Sequence, residues 1–172
     1  MKKHGFTLIE LVVVLAIIAV LASLLVPVML HFIAKSKIMS SNSAAKDIST
    51  AISAAMVEMD TADIQIHRLQ GSYVYNGSAF EADKDYKISS AGKTNTADMQ
   101  KVIRARVYDH FNQITKLDAV SFSITKEGQC NGVGVIRGAY PGSYPIAINF
   151  EAYEEHAGTW DSDLALEYAL NK

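Results

Sequence analysis

Little in this sequence has the spacing that catalysis needs. The five histidines, His4, His31, His67, His110 and His156, are scattered, and no two stand three or four residues apart. No zinc-ligand spacing, phosphate-cradling glycine loop or triad signature occurs. Ser143, in "YPGSYP", has no nucleophile-elbow context. Two pairs of alternating acids resemble fragments of a calcium loop. Asp83 and Asp85 lack the following glycine and the twelfth-position glutamate, so "EADKDYK" reads as a solvated loop. Asp161 and Asp163 read better as the approach to a short C-terminal helix, capped by Ser162, or to a last strand. No catalytic residue, metal site or cofactor is expected, and an enzyme is not indicated. One carboxylate does stand out. Glu10 sits at the start of a long apolar run, with no charged side chain from Leu11 to Leu30. A carboxylate in such surroundings needs a partner, because an unpaired buried charge is costly. Its chemistry is therefore ion pairing.

The element that must position Glu10 is a helix of membrane length. Residues 6–30 would span about 37 Å as an α-helix, against about 20 apolar residues needed to cross a hydrocarbon core. Central aliphatic residues favour insertion by about 0.3–0.6 kcal/mol each, and a central acid opposes it by about 2.5–3.5 kcal/mol. The aliphatic residues outweigh Glu10. Lys2 and Lys3 ahead of the run place the N-terminus in the cytoplasm, a bias that Lys35 and Lys37 weaken slightly. A cleaved secretory signal fits poorly, because Ala22-Ser23 lies inside the run and no small-x-small site closes it. The 172-residue chain has a net charge of −2, which gives no general attraction to nucleic acid or anionic lipid. Its single cysteine, Cys130, rules out an intrachain disulfide.

The stretch "KKHGFTLIE", continued by "LVVVLAIIAVLASLLVP", resembles the class III leader and cleavage site of type IV pilins and their pseudopilin relatives. The resemblance covers about the first third of the chain. It implies a five-residue leader, cut between Gly5 and Phe6 by a membrane-embedded prepilin peptidase, and N-methylation of Phe6. It implies that an ATP-driven inner-membrane machine then extracts the subunit into a helical fibre. In a staggered bundle, the Phe6 amine of an incoming subunit can reach the Glu10 of its neighbour, cancel both charges and set the axial register. Buried pairs of this kind argue for register more than for net stability. The plainer reading has Glu10 reach the headgroups or favour the positive end of the helix. Pro27 removes one backbone donor and is expected to kink the helix, or to mark where it melts on packing into a filament. Many pilins close a C-terminal loop with a disulfide. Cys130 has no partner, so here hydrogen bonding and packing must hold that loop.

The remaining elements follow from periodicity. Residues 31–60 continue the helix amphipathically, with Ile38, Ala45, Ile48, Ile52, Ala55 and Met59 as the apolar stripe. Residues 61–172 form a globular head. Asn76-Gly77, in "SYVYNGSAF", predicts a type I′ hairpin; it is also a glycosylation sequon. A second amphipathic helix covers about 96–118, capped by Asn95 or Thr96, with Lys101, Arg104 and Arg106 as a solvated basic face. Three antiparallel strands are expected in "AVSFSITK", "GVGVIRG" and "YPIAINFEAYEE", joined through "EGQCNG" and "YPGSYP". The expected fold is α+β: a long N-terminal α-helix whose C-terminal half packs on a small antiparallel β-sheet head, as in pilins.

The function this implies is that of a structural pilin subunit, supporting adhesion, aggregation or twitching motility. Its partners would be copies of itself, prepilin peptidase, the inner-membrane assembly machinery and, before assembly, the membrane; no nucleic acid is expected. It would move from the cytoplasmic membrane to an extracellular pilus. The alternatives are a pseudopilin of a type II secretion or DNA-uptake system, and a membrane-anchored binding domain that never assembles.

Overall fold

The computed structural model describes residues 7–171. The chain divides into two compact units, Met1–Ser36 and Lys37–Lys172. Helix α1, Leu8–Thr61, contributes to both. In the first unit no described residue is buried. An 18-residue window of the helix reaches a mean hydropathy of 3.1 with none of it buried. Such a helix is long and apolar enough to cross a bilayer, where its backbone groups bond within the helix.

In the second unit α1 turns amphipathic. Ile38, Ala45, Ile48, Ile52, Ala55 and Met59, the stripe predicted from spacing, are all buried. All but Ile38, which clusters with Ile148, Ala152 and Ala165, pack against an antiparallel sheet of four strands: β1 (Gly71–Tyr75), β2 (Ala119–Ile124), β3 (Cys130–Arg137) and β4 (Tyr140–Tyr144), in that spatial order. Between β1 and β2 lie α2 (Gly77–Ala82) and α3 (Thr96–His110); after β4 come α4 (Phe150–Glu155) and α5 (Ser162–Leu170). The register sets the two faces. Val120 pairs with Val135 and Phe122 with Val133, and all four side chains join the core with α1 and α3. Ser121 pairs with Gly134 on the opposite face. There a Cβ on Gly134 would collide with the backbone of Ser162 and Leu166 in α5. Gly142 of β4 plays the matching role toward α1, where a Cβ would meet the backbone of Ser41 and Asn42. Two glycines thus let helices lie close on the sheet from either side. The α+β arrangement is the one expected.

Several local expectations are corrected. Asn76 does not open a hairpin turn. Its side chain accepts from Ala79 N at 3.1 Å and caps α2, while β1 pairs with the distant β2. Gly77 is needed because the backbone carbonyls of Ile114 and Leu117 lie where its Cβ would be. α3 stops at His110, short of 118, because Phe111 leaves helical geometry at φ −141° and a 3₁₀ turn, Asn112–Lys116, follows. "YPGSY" is strand β4, and the turn before it is Gly138-Ala139, with Gly138 at φ +61°. Pro141 is tolerated because β4 is an edge strand. The expected third strand divides: after Tyr144 the chain leaves the sheet, and Asn149 caps α4 by accepting from Ala152 N at 2.8 Å. Cys130 starts β3 and is not in the connecting turn, which closes between Thr125 and Gln129. Asp161, not Ser162, caps α5, accepting from Leu164 N at 2.7 Å. Ser162 is buried, and its Oγ is hydrogen-bonded to Ser121 Oγ at 2.8 Å. Asp83 is not simply solvated: it lies 2.6 Å from Arg104 in an ion pair.

The C-terminal loop is held without a disulfide. Asn42 of α1 accepts from Ser143 N at 2.9 Å and Ile148 N at 3.2 Å, and donates to Ile148 O at 2.8 Å. One side chain thus ties α1 to both ends of the segment between β4 and α4.

Candidate assembly site at the N-terminus

Glu10 lies in the first turn of α1, two residues after the helix begins at Leu8. Its Oε2 accepts two hydrogen bonds from Thr7, from the backbone N at 2.8 Å and from Oγ1 at 2.7 Å. Glu10 N in turn donates to Thr7 Oγ1 at 3.3 Å. This reciprocal arrangement is a capping box, which satisfies donors that a helix start leaves open. Oε1 of Glu10 makes no hydrogen bond among the described residues. The carboxylate is thus oriented from one side and open on the other. Ile9, Val13 and Val14 flank it in a shallow concavity with an almost wholly apolar lining. An anion held there can pair with a cation supplied from outside the helix.

Pro27 lies inside α1 without ending it. Lacking an N–H, it leaves the carbonyl of Ser23 without its usual helical partner. Ser23 Oγ donates instead to Val20 O at 2.7 Å, so its own hydroxyl is satisfied within the apolar segment. Gly5 and Phe6, the expected cleavage and methylation positions, lie outside the described residues, as does the leader, 1–5.

The role of Thr7 was not read from the sequence, although "TLIE" is a T-x-x-E capping signature. The basic face expected on α3 is largely neutralised. Lys101 lies 3.7 Å from Asp98, Arg104 pairs with Asp83, and Arg106 bridges Glu58 at 2.6 Å and Asp109 at 3.1 Å. Among the described residues no cluster of three or more metal-ligating side chains occurs.

Comparison with known proteins adds one match. The model of the prokaryotic N-terminal methylation motif matches residues 1–26. No curated protein and no solved structure matches the chain.

Proposed function

From an N-terminus of the type IV pilin-like prepilin kind, followed by a helix able to anchor the precursor in a membrane, we propose that the chain is a structural subunit of a type IV pilus. Prepilin peptidase would remove residues 1–5 and methylate Phe6. The inner-membrane machinery would then draw the helix out of the bilayer into a fibre of identical subunits. The fibre, outside the cell, would support adhesion, aggregation or twitching motility. The observation that carries this reading is the methylation motif continuous with a long, wholly unburied apolar helix. The half-open Glu10 carboxylate supports it, since Oε1 is available to the Phe6 amine of a neighbour. Residues 6–30 would be the assembly segment, and residues 61–172, with the amphipathic 31–60, the head.

A pseudopilin of a secretion or DNA-uptake system is the second reading, and the head's single, unpaired cysteine favours it. Both readings are tested by the intact mass of the N-terminus in sheared surface material. A chain beginning at methylated Phe6 within extended fibres supports the pilus subunit. The same processed chain confined to short envelope structures supports the pseudopilin. An unprocessed chain found only in membranes discards both.

A further inference from the structure

A cleft of about 410 Å³ opens at the start of the head. Lys37, Ser40 and Ser41 of α1 form one wall, and Arg137, Gly138 and Tyr140 at the β3–β4 turn form the other. Two cations line it and no carboxylate does. Neither cation has a counter-ion: among the described residues, the ion pairs involve Lys93, Lys101, Arg104 and Arg106. The Lys37 ammonium sits 4.8 Å from the centre of the Tyr140 ring. The Arg137 guanidinium makes one long hydrogen bond, from Nη1 to Ser40 Oγ at 3.4 Å. Its Nε is shut off from solvent and has no acceptor. Asp118 lies close to the turn, but its carboxylate accepts from Gly138 N at 2.5 Å, and it does not line the cleft. A buried donor left unpaired is unfavourable, and such groups in native folds call for an explanation, a missing ligand among them. A planar guanidinium beside an ammonium is the pairing that suits a phosphate: the fork donates two parallel bonds and the lysine adds a point charge.

The position of Lys37 in the chain selects the source of that phosphate. Lys37 is the seventh residue after Leu30, the last apolar residue before His31, and the third after Ala34, the last before the first charged side chain, Lys35. Seven helical residues rise about 10 Å, and the headgroup layer extends about 5–8 Å beyond the hydrocarbon on each side. A long basic side chain spans the difference, keeping its stem on apolar surface and its charge among the headgroups. A second feature agrees. Ile38, the first buried residue of α1, clusters with Ile148, Ala152 and Ala165, and the partly buried rings of Tyr140, Phe150, Tyr153, Trp160 and Tyr168 pack against that cluster. Tyrosine and tryptophan are the types that settle at the headgroup level.

We propose that Lys37 and Arg137 form a binding site for the phosphate of an anionic phospholipid headgroup, occupied while the chain is anchored in the membrane. On binding, the guanidinium turns into the cleft, so that Nε and one Nη donate to two phosphate oxygens. Lys37 Nζ meets a third, and Ser40 is released. The site requires membrane anchoring by α1 and does not depend on assembly into a fibre.

The test uses the full chain in nanodiscs of phosphatidylcholine containing phosphatidylglycerol, with the lipids retained on release counted by native mass spectrometry. The wild type should retain phosphatidylglycerol over phosphatidylcholine at least five-fold above their ratio in the disc. Lys37→Gln combined with Arg137→Gln should bring that enrichment close to one, with the far-ultraviolet spectrum unchanged. Should the double variant lose helical signal, Lys37→Gln alone, at an exposed helix position, should halve the enrichment. Equal enrichment in wild type and variant would overturn the site. So would an equal loss in a Lys84→Gln, Lys87→Gln control, because it would reveal only a general charge effect. Binding of inorganic phosphate without any preference for phosphatidylglycerol would assign the cleft to a free anion and overturn the headgroup source.

Discussion

Glu10 has one observed role, capping the helix, and one proposed role, pairing with a neighbour's amine, and a single substitution does not separate them. Its Oε2 caps the helix with Thr7, and its Oε1 is open to a partner. If capping were all it did, removing either member of the box would have the same consequence. Losing a cap of this type typically destabilises a helix by about 0.5–2 kcal/mol, a modest effect in a helix that the bilayer already holds. We expect Thr7→Ala to leave fibre yield within about two-fold of wild type, and Glu10→Ala to abolish fibres while membrane insertion is retained. Matching yields for the two variants, scored by electron microscopy and membrane fractionation, would reduce Glu10 to a cap. Cys130 behaves differently. Burial pushes its thiol above the ordinary range, with hydrogen bonding by Ser49 and the Gly132 backbone acting in the opposite direction. The unfolded thiol ionises first, so its contribution to stability is fully present below the unfolded value, about 8.5, and is lost progressively as pH rises from there through the higher folded value. Iodoacetamide at pH 8 should therefore alkylate the folded protein at least ten-fold more slowly than the urea-unfolded chain; equal rates would mean an accessible thiolate.

At the scale of elements, the head is assembled by close approach and by one polar clamp. Gly142 and Gly134 bring α1 and α5 against opposite faces of the sheet, and Ser121 completes the α5 contact by donating to Asp163 Oδ1 at 2.6 Å. Asn42 ties α1 to the C-terminal loop without a covalent bridge, since its side chain is bound to Ser143 N in β4 and to Ile148 N and O ahead of α4. Asn42→Ala would leave two N–H groups and one carbonyl short of partners. Each such loss is unfavourable by about 1–3 kcal/mol when the group stays buried; with partial access to water, we expect a net loss of about 2–4 kcal/mol. Asn42→Asp keeps the acceptors for Ser143 and Ile148 and should be milder. Denaturant unfolding of both variants checks this; an alanine variant within 0.5 kcal/mol of wild type, about the size of an ordinary surface change, would show that packing alone holds the loop.

For the molecule as a whole, the first buried residue of α1 is Ile38, and the entire core lies in Lys37–Lys172. Burial drives folding, and no described residue ahead of Lys37 is buried. A fragment beginning at Lys37 should therefore be soluble and unfold in a single cooperative transition by circular dichroism. A fragment without such a transition would mean that the apolar segment takes part in the head's stability. The exposed apolar helix that remains in the full chain calls for cover by lipid or by other helices, because monomeric soluble proteins rarely present so long an apolar surface to water.

Much of this was readable in the sequence where the physics is local. A run of uncharged aliphatic residues identifies a membrane-length helix whatever follows it, and three- and four-residue spacing identified the buried face of α1 at Ile38, Ala45, Ile48, Ile52, Ala55 and Met59. Asn95 as a cap is equally local, and the structure has its side chain accepting from Ala97 N at 3.1 Å. The failures share one cause. Asn76-Gly77 carries the same residues whether it turns a hairpin or starts a helix, and only the pairing of β1 with the distant β2 decides between them. "YPGSY" has turn-like composition, yet it is a strand because Gly142 must admit α1 and Pro141 lies on a sheet edge. The Asn42 clamp and the Lys37–Arg137 cleft each join residues about a hundred positions apart. The sequence by itself determined the elements that depend on neighbours along the chain. The tertiary structure decided which polar groups meet, because contacts between distant segments follow from packing and not from composition.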